Sequence, residues 1–400
     1  MLENVIEKKY SFDRIIDRSG TQSFKWDLYD KDTLPLWVAD MDFRAPQPII
    51  DAIIERAEHG IFGYTYYPST YYDALIKWFK LYYNWEIKKE WLVFTPGVIL
   101  AINLAIQGFS NPGDKIIVQN PVYYPFYGAI KSNGRQVLLN PLKLMEGRYQ
   151  MDFENLEQIT KDSRTKILIL CNPHNPVGRL WTKEELTNLG DICLNNEIMV
   201  IADEIHCDLV YPGHKHTSFA SIFTRFAQNS ITCTSASKTF NLPGLQLSNI
   251  IIPNQKFRQT FNNSLESVFI PEELGYLPNV LSIVALQAAF EKCGDWLETL
   301  ILYLKENLEF LKSFIINKLP QIKIIEPEGT YLVWLDFREL NIEDHQLETF
   351  LLEKAKVVLD GGYKFGQGGE GFQRINIACP RSILKEALTR IYHTIKELTS

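Results

Sequence analysis

From about residue 50 to 285 the chain alternates short apolar or β-branched runs with stretches of helical spacing. The runs Lys115–Gln119, Gln136–Leu139, Lys166–Leu170, Met199–Ala202, Ile231–Thr234 and Asn249–Ile252 lack polar alternation. That pattern belongs to strands buried on both faces, as in a mostly parallel sheet under helices. Asp51–Glu58 and Tyr71–Asn84 have helical periodicity, and Thr182 with Glu185 forms a capping-box signature for a helix over Lys183–Asn195. Lys166–Ala202 therefore reads as a βαβ unit. Beyond 285 the character changes. A long helical pattern, Ile283–Asn317, precedes a strand around Thr330–Asp336, a helix over Asp344–Ala355, a strand over Arg374–Ala378 and a final helix, Ser382–Leu398.

The fold class predicted is α/β, a mostly parallel sheet flanked by helices, joined to a smaller α+β domain. Four hundred residues suit two packed domains. The expected division is an N-terminal arm over 1–48 that completes the small domain, a large domain over 49–285, and a small domain over 286–400. Hydrophobic residues at 46% and charged residues at 22% are ordinary for a globular protein. The net charge of -7 argues against a nucleic-acid surface. No stretch reaches the roughly 18 apolar residues of a membrane span, and Met1–Tyr10 has no apolar signal-peptide core. The six cysteines include no C-x-x-C pair, so reduced thiols in a cytoplasmic protein are expected. The remaining class is an enzyme or binder of small molecules.

Ligands in open α/β sheets bind beyond the carboxyl ends of strands. Four predicted strands end in polar clusters: Gln119–Tyr124, Cys171–Gly178, Asp203–His206 and Ser235–Lys238. A lysine in the position of Lys238 can simply cap a strand at the surface. At the end of a buried strand, however, it must dispose of its charge, and imine formation with an aldehyde is one solution. A cofactor aldehyde of the pyridoxal kind needs an acid at its ring nitrogen. Asp203, ending the run Met199–Ala202, is the candidate; a strand-end Asp that caps a turn is the alternative. For a phosphate, Thr95-Pro-Gly-Val-Ile-Leu100 runs into an apolar helix whose first amides, Val98 and Ile99, would face the anion. The hydroxyls of Ser235 and Ser237 would assist.

Two features lead away from the site. Gly366–Gly371 matches G-x-G-x-x-G, but that fingerprint has meaning only between a strand and a helix, and here it precedes a strand. A flexible glycine loop beside the site is expected instead. His214 and His216 lack a supporting Cys, Asp or Glu cluster, so a solvated loop and no metal are expected.

The order Thr-Pro-Gly-Val, Asn-Pro-His-Asn-Pro-Val-Gly, Asp-Glu-Ile-His, Ser-Ala-Ser-Lys and a late Arg resembles the class I/II aminotransferase family of pyridoxal-phosphate fold type I. Trp37–Phe43, Phe62–Thr65, Ser235–Asn241 and Asn376–Pro380 are similar to its cystathionine β-lyase branch, and the likeness covers nearly the whole chain. The resemblance implies pyridoxal 5'-phosphate held as a Schiff base on Lys238, with Asp203 at the ring nitrogen and Asn175 and His206 donating to ring O3′. It implies that Tyr123 stacks on the ring, and that Arg374, with Ala39 and Asn175, receives the substrate carboxylate. Tyr64 would reach the neighbouring subunit's phosphate, so a homodimer with shared sites is expected. His206 stands where many relatives have Tyr, and Gln246 where many have a cation for the phosphate. The implied reaction is β-elimination from a sulfur amino acid to pyruvate, ammonia and a thiol. Transamination and a cofactor-binding regulatory role are the alternatives.

Overall fold

The computed structural model describes residues 10–269 and 276–398. Among them seven strands form one sheet: β1 (Leu92–Thr95), β2 (Lys115–Val118), β3 (Gln136–Leu139), β4 (Thr165–Cys171), β5 (Met199–Asp203), β6 (Ser230–Thr234) and β7 (Ser248–Ile251). Their spatial order is β1-β7-β6-β5-β4-β2-β3. The neighbours from β6 to β3 pair in parallel, while β7 runs antiparallel to both β6 and β1. The α/β class read from the sequence holds. Every residue of β5, β6 and β7 is buried, which is why these strands carry no polar alternation.

Helices cover the sheet through apolar stripes. The helix Val98–Phe109 buries Val98, Ala101, Ile102, Leu104, Ala105 and Ile106, the i, i+3, i+4 spacing of one face. The helix Lys183–Asn195 begins with both halves of the capping box, Thr182 accepting from the Glu185 amide and Glu185 from the Thr182 amide.

A second, antiparallel sheet is formed by β8 (Lys323–Ile325), β9 (Leu332–Asp336), β10 (Asp360–Gly361) and β11 (Phe372–Asn376), in the order β8-β9-β11-β10. Leu34–Pro35 pairs in parallel with Val357–Val358, so the N-terminal segment is stitched to the C-terminal part of the chain. No helix of the described residues is long and apolar enough to cross a membrane.

Several local expectations need correction. The pattern Ile283–Asn317 is two helices, Val280–Lys292 and Gly294–Lys318, broken where Cys293 leaves helical angles (φ −116°, ψ 17°). Gly294 has no Cβ to spare, since one there would lie 2.6 Å from the Tyr82 hydroxyl. The strand Leu92–Thr95 is absent from the sequence expectations: it has four residues, and Pro96 and Gly97 separate it from the next helix. The glycine loop 361–371 is held rather than loose. The Phe365 carbonyl accepts from the Val122 amide and the Tyr127 hydroxyl, and the Gln367 carbonyl accepts from Asn120. A Cβ on Gly362 would strike the Gly369 carbonyl. His214 is exposed, but His216 is buried and its Nε2 lies 3.2 Å from Glu204 Oε2, so only half of the solvated-loop expectation stands.

Candidate active site

The four polar clusters sit at the carboxyl ends of β2, β4, β5 and β6, which are consecutive neighbours in the sheet. Parallel pairing puts all four ends on one edge, so residues up to about 120 positions apart converge there. A cavity of about 220 Å³ lies at that edge, lined by Ala39, Val98, Ile99, Tyr123, Asn175, Asp203, His206, Ser235, Ser237, Lys238 and Gln246 among others.

Lys238 belongs to a one-turn helix, Ala236–Thr239, whose N-terminus is capped by the Ser235 hydroxyl accepting from the Ser237 amide. Its Nζ reaches into the cavity and donates to the Ala39 carbonyl at 2.8 Å. Withdrawal from water pushes the amine down to about 8; Asp40 and Asp203 pull the other way, and Arg374 adds to the depression. Asp203, the last residue of β5, is buried, and the Ile205 amide donates to its Oδ1 at 3.1 Å. Burial pushes its carboxyl up to about 7, against the Ile205 amide and Lys238, which favour the charged form. A cation brought close to a buried acid of this kind favours its charged form. His206 is pushed down to about 3 by burial and by the cations Lys238 and Arg374, so its ring is neutral.

Arg374 is buried at the centre of β11, not at its start. It does not line the cavity directly, and its guanidinium is held on three sides. Nη1 donates to Asn175 Oδ1 at 2.9 Å, and Nη2 donates to the Trp37 carbonyl at 2.8 Å and to Asp360 Oδ2 at 2.6 Å. Because Asn175 spends its oxygen on Arg374, its amide NH₂ is left as a donor. The Ser235 hydroxyl donates to the Leu247 carbonyl at 2.8 Å, so its proton is already engaged, whereas the Ser237 hydroxyl lines the cavity. Tyr64 is 92% exposed and lies outside the cavity. Gln246 is an exposed residue of the rim in the left-handed region (φ +52°).

The sequence reading missed four contributors. Asp360 faces Arg374 across the β10–β11 pair, the Tyr331 hydroxyl donates to the Ala39 carbonyl at 2.9 Å, and Asp40 and Asp42 follow Ala39 in the chain. Only the pair of aspartates in Trp37-Val-Ala-Asp-Met-Asp was a visible signal.

The residues fit pyridoxal phosphate. Buried His206 Nδ1 and Arg374 Nε have no partner, which is what donors or acceptors awaiting a polar ligand look like. No side chain caps the helix at Val98, so its first amides remain available to an anion. An amine, a carboxyl short of a cation, an aromatic ring at Tyr123 and that helix start all line one cavity.

Comparison with known proteins agrees. The model of the family described as aminotransferase class I and II matches residues 31–391. The chain is similar to cystathionine beta-lyase PatB of Bacillus subtilis, 45% identical over 386 residues, covering 95% of this chain and 98% of that protein. Among solved structures it superposes on cystalysin from Treponema denticola, which contains pyridoxal 5'-phosphate. The TM-score is 0.94 at 39% identity, covering 97% of this chain and 99% of that one. It also resembles the PLP-bound C–S lyase from Staphylococcus hominis, with TM-score 0.91 at 36% identity and the same coverages, 97% and 99%.

Proposed function

The chain belongs to the aminotransferase class I and II family, and from that footing we propose that it is a pyridoxal-phosphate-dependent carbon–sulfur lyase acting on amino acids such as L-cystathionine. The reaction is β-elimination: substrate and water give pyruvate, ammonia and a thiol. The observation that carries this is the convergence of Lys238 and Asp203 in one cavity, in a chain 45% identical to a cystathionine β-lyase.

When bound, pyridoxal phosphate supplies an aldehyde carbon and a cationic ring that accepts electron density from the substrate Cα. The chain's residues do the rest. Arg374, held by Asn175, Trp37 and Asp360, receives the substrate carboxylate and fixes the direction of the Cα–H bond. Lys238, depressed to about 8, is neutral in about a tenth of molecules at pH 7 and takes the Cα proton. Asp203 would hold a proton at the ring nitrogen, and Asn175 and His206 would donate to the ring oxygen. Tyr123 would cover the ring. Val98, Ile99 and Ser237 would hold the phosphate, with Ser235 shaping that loop through its bond to Leu247. A thiolate is a good leaving group, so it departs from Cβ before the proton held by Lys238 is returned.

We further propose a homodimer in which Tyr64 completes the partner's phosphate site. The residue is 92% exposed beside exposed Ile61, Phe62 and Tyr66, an apolar surface that a second subunit would cover. Six buried free thiols suit a reducing cytoplasm. The test is to give the purified protein L-cystathionine and to measure pyruvate and thiol with and without a 2-oxo acid. Equal amounts of both products without oxo acid are expected. Turnover that stops after one equivalent and resumes with oxo acid would make it a transaminase.

A further inference from the structure

The segment Trp37–Phe43 touches both ends of the proposed machinery through its carbonyls. Ala39 accepts from Lys238 at 2.8 Å, and Trp37 accepts from Arg374 at 2.8 Å. Four of its other carbonyls are also occupied. Asn376 donates to Val38 and Asp40 at 2.7 and 2.6 Å, and Asn241 donates to Met41 and Phe43 at 2.9 and 3.0 Å. A backbone tied at nearly every residue cannot shift one carbonyl alone, so Lys238 and Arg374 are held in a fixed mutual relation.

Beneath this segment lies an ion cluster of two cations and two anions. Arg18 lies 2.8 Å from Asp40 and 2.7 Å from Asp42, and Lys25 lies 2.8 Å from Asp42 and 3.6 Å from Asp40. Lys25 is fully buried and Asp42 nearly so, at 5% exposure. Trp26 Nε1 also donates to Asp42, at 2.9 Å. A buried cluster like this does little for stability compared with apolar packing, but it fixes geometry, because removing one member strands the opposite charge. Both acids belong to the segment that holds Lys238, and both cations come from the arm before it.

We propose that Asp40 and Asp42, locked by Arg18 and Lys25, are positioning residues that set the place and the charge environment of Lys238 and keep it in register with Arg374. The inference rests on the pyridoxal reading for what Lys238 does, but not for where it is held. Asp40 is the anion of this cluster that bears on Lys238, and Arg18 pairs with it at 2.8 Å. The other charged or titratable groups facing that nitrogen are Asp203 and Arg374, with neutral His206 and the Tyr123 and Tyr331 hydroxyls nearby.

This arrangement predicts opposite responses from two neighbours. In Asp40→Asn a negative charge is lost near the Lys238 nitrogen, so its proton leaves at lower pH. In Arg18→Gln the negative charge of Asp40 is less compensated, so the proton leaves at higher pH. In the full-length protein with its cofactor, the proton on that nitrogen is read from the pH midpoint of the visible absorption band, with no substrate present. Shifts of about half a pH unit in opposite senses are expected, together with at least about tenfold lower kcat/KM in both variants. A purely structural role would lower Tm in both without separating the midpoints. Midpoints that stay together, or move the same way, overturn the proposal. Where one variant fails to fold, the other is compared with the unaltered protein, and an unmoved midpoint counts against it. Protein isolated without cofactor would sink the proposed function instead. The midpoint is then read from the pH dependence of Lys238 acetylation by acetic anhydride, with the same opposite shifts expected.

Discussion

Replacing Asp203 by Asn should stabilise the empty protein and cripple the loaded one. Burial raises the Asp203 carboxyl from its ordinary 3.8 to about 7, a displacement of about three units. At about 1.4 kcal/mol per unit, holding that carboxylate charged in the empty cavity costs up to about 4 kcal/mol. The folded form therefore binds this proton more tightly than the unfolded chain. Asp203's contribution is most favourable below the unfolded value near 4 and is lost as pH rises through about 7. Asn carries no such charge, although Lys238 loses a favourable neighbour in the exchange, so a net gain of about 1–3 kcal/mol at pH 8 is expected. Near pH 4 the two proteins should differ little. With cofactor bound the sign reverses, because a neutral amide cannot keep the ring nitrogen protonated. Loss of a hydrogen bond between charged partners costs about 1.5–3 kcal/mol, or roughly ten- to a hundredfold in kcat. Urea unfolding of cofactor-stripped protein at pH 4.5 and pH 8, beside pyruvate production by the loaded forms, measures both halves. A stripped variant no more stable than the parent at pH 8 would refute the electrostatic reasoning. Near-normal turnover would remove Asp203 from the mechanism.

Lys238→Ala should bind pyridoxal phosphate only non-covalently, and borohydride should fix the cofactor to Lys238 alone in the unaltered protein; a label on another lysine, found by peptide mass spectrometry, would contradict the assignment. Arg374→Ala should lower kcat/KM by about ten- to a hundredfold, and Arg374→Lys should restore little, because an ammonium cannot serve Asn175, Trp37, Asp360 and a carboxylate together. Mixing a Tyr64→Phe variant with a Lys238→Ala variant should regenerate activity through mixed dimers that contain one intact site; mixed dimers without activity would argue against sharing.

Much of this protein was legible in the sequence because it depends on neighbours along the chain. Continuous apolar runs become strands buried on both faces, and Thr182 with Glu185 starts a helix wherever that helix is placed. The polar clusters after four strands were visible too, since each needs only its own strand to be seen. What the sequence left open is set by distance in space. Lys238 meets the Ala39 carbonyl across 199 positions, and Arg374 meets Asn175 across another 199. No local period encodes such meetings; the strand order and the pairing of Leu34–Pro35 with Val357–Val358 create them. The same holds for His216, whose burial against Glu204 no loop composition reveals, and for the helix break at Cys293, where apolar spacing continues past the break. Charge is the last such property. Asp203 is an ordinary acid in the sequence, and only a cavity that excludes water, with the charge of Glu204 adding to the effect and that of Lys238 opposing it, raises its carboxyl to about 7. Local pattern determined the elements and the reactive residue types; tertiary packing determined their partners, because desolvation and Coulomb interaction act through space.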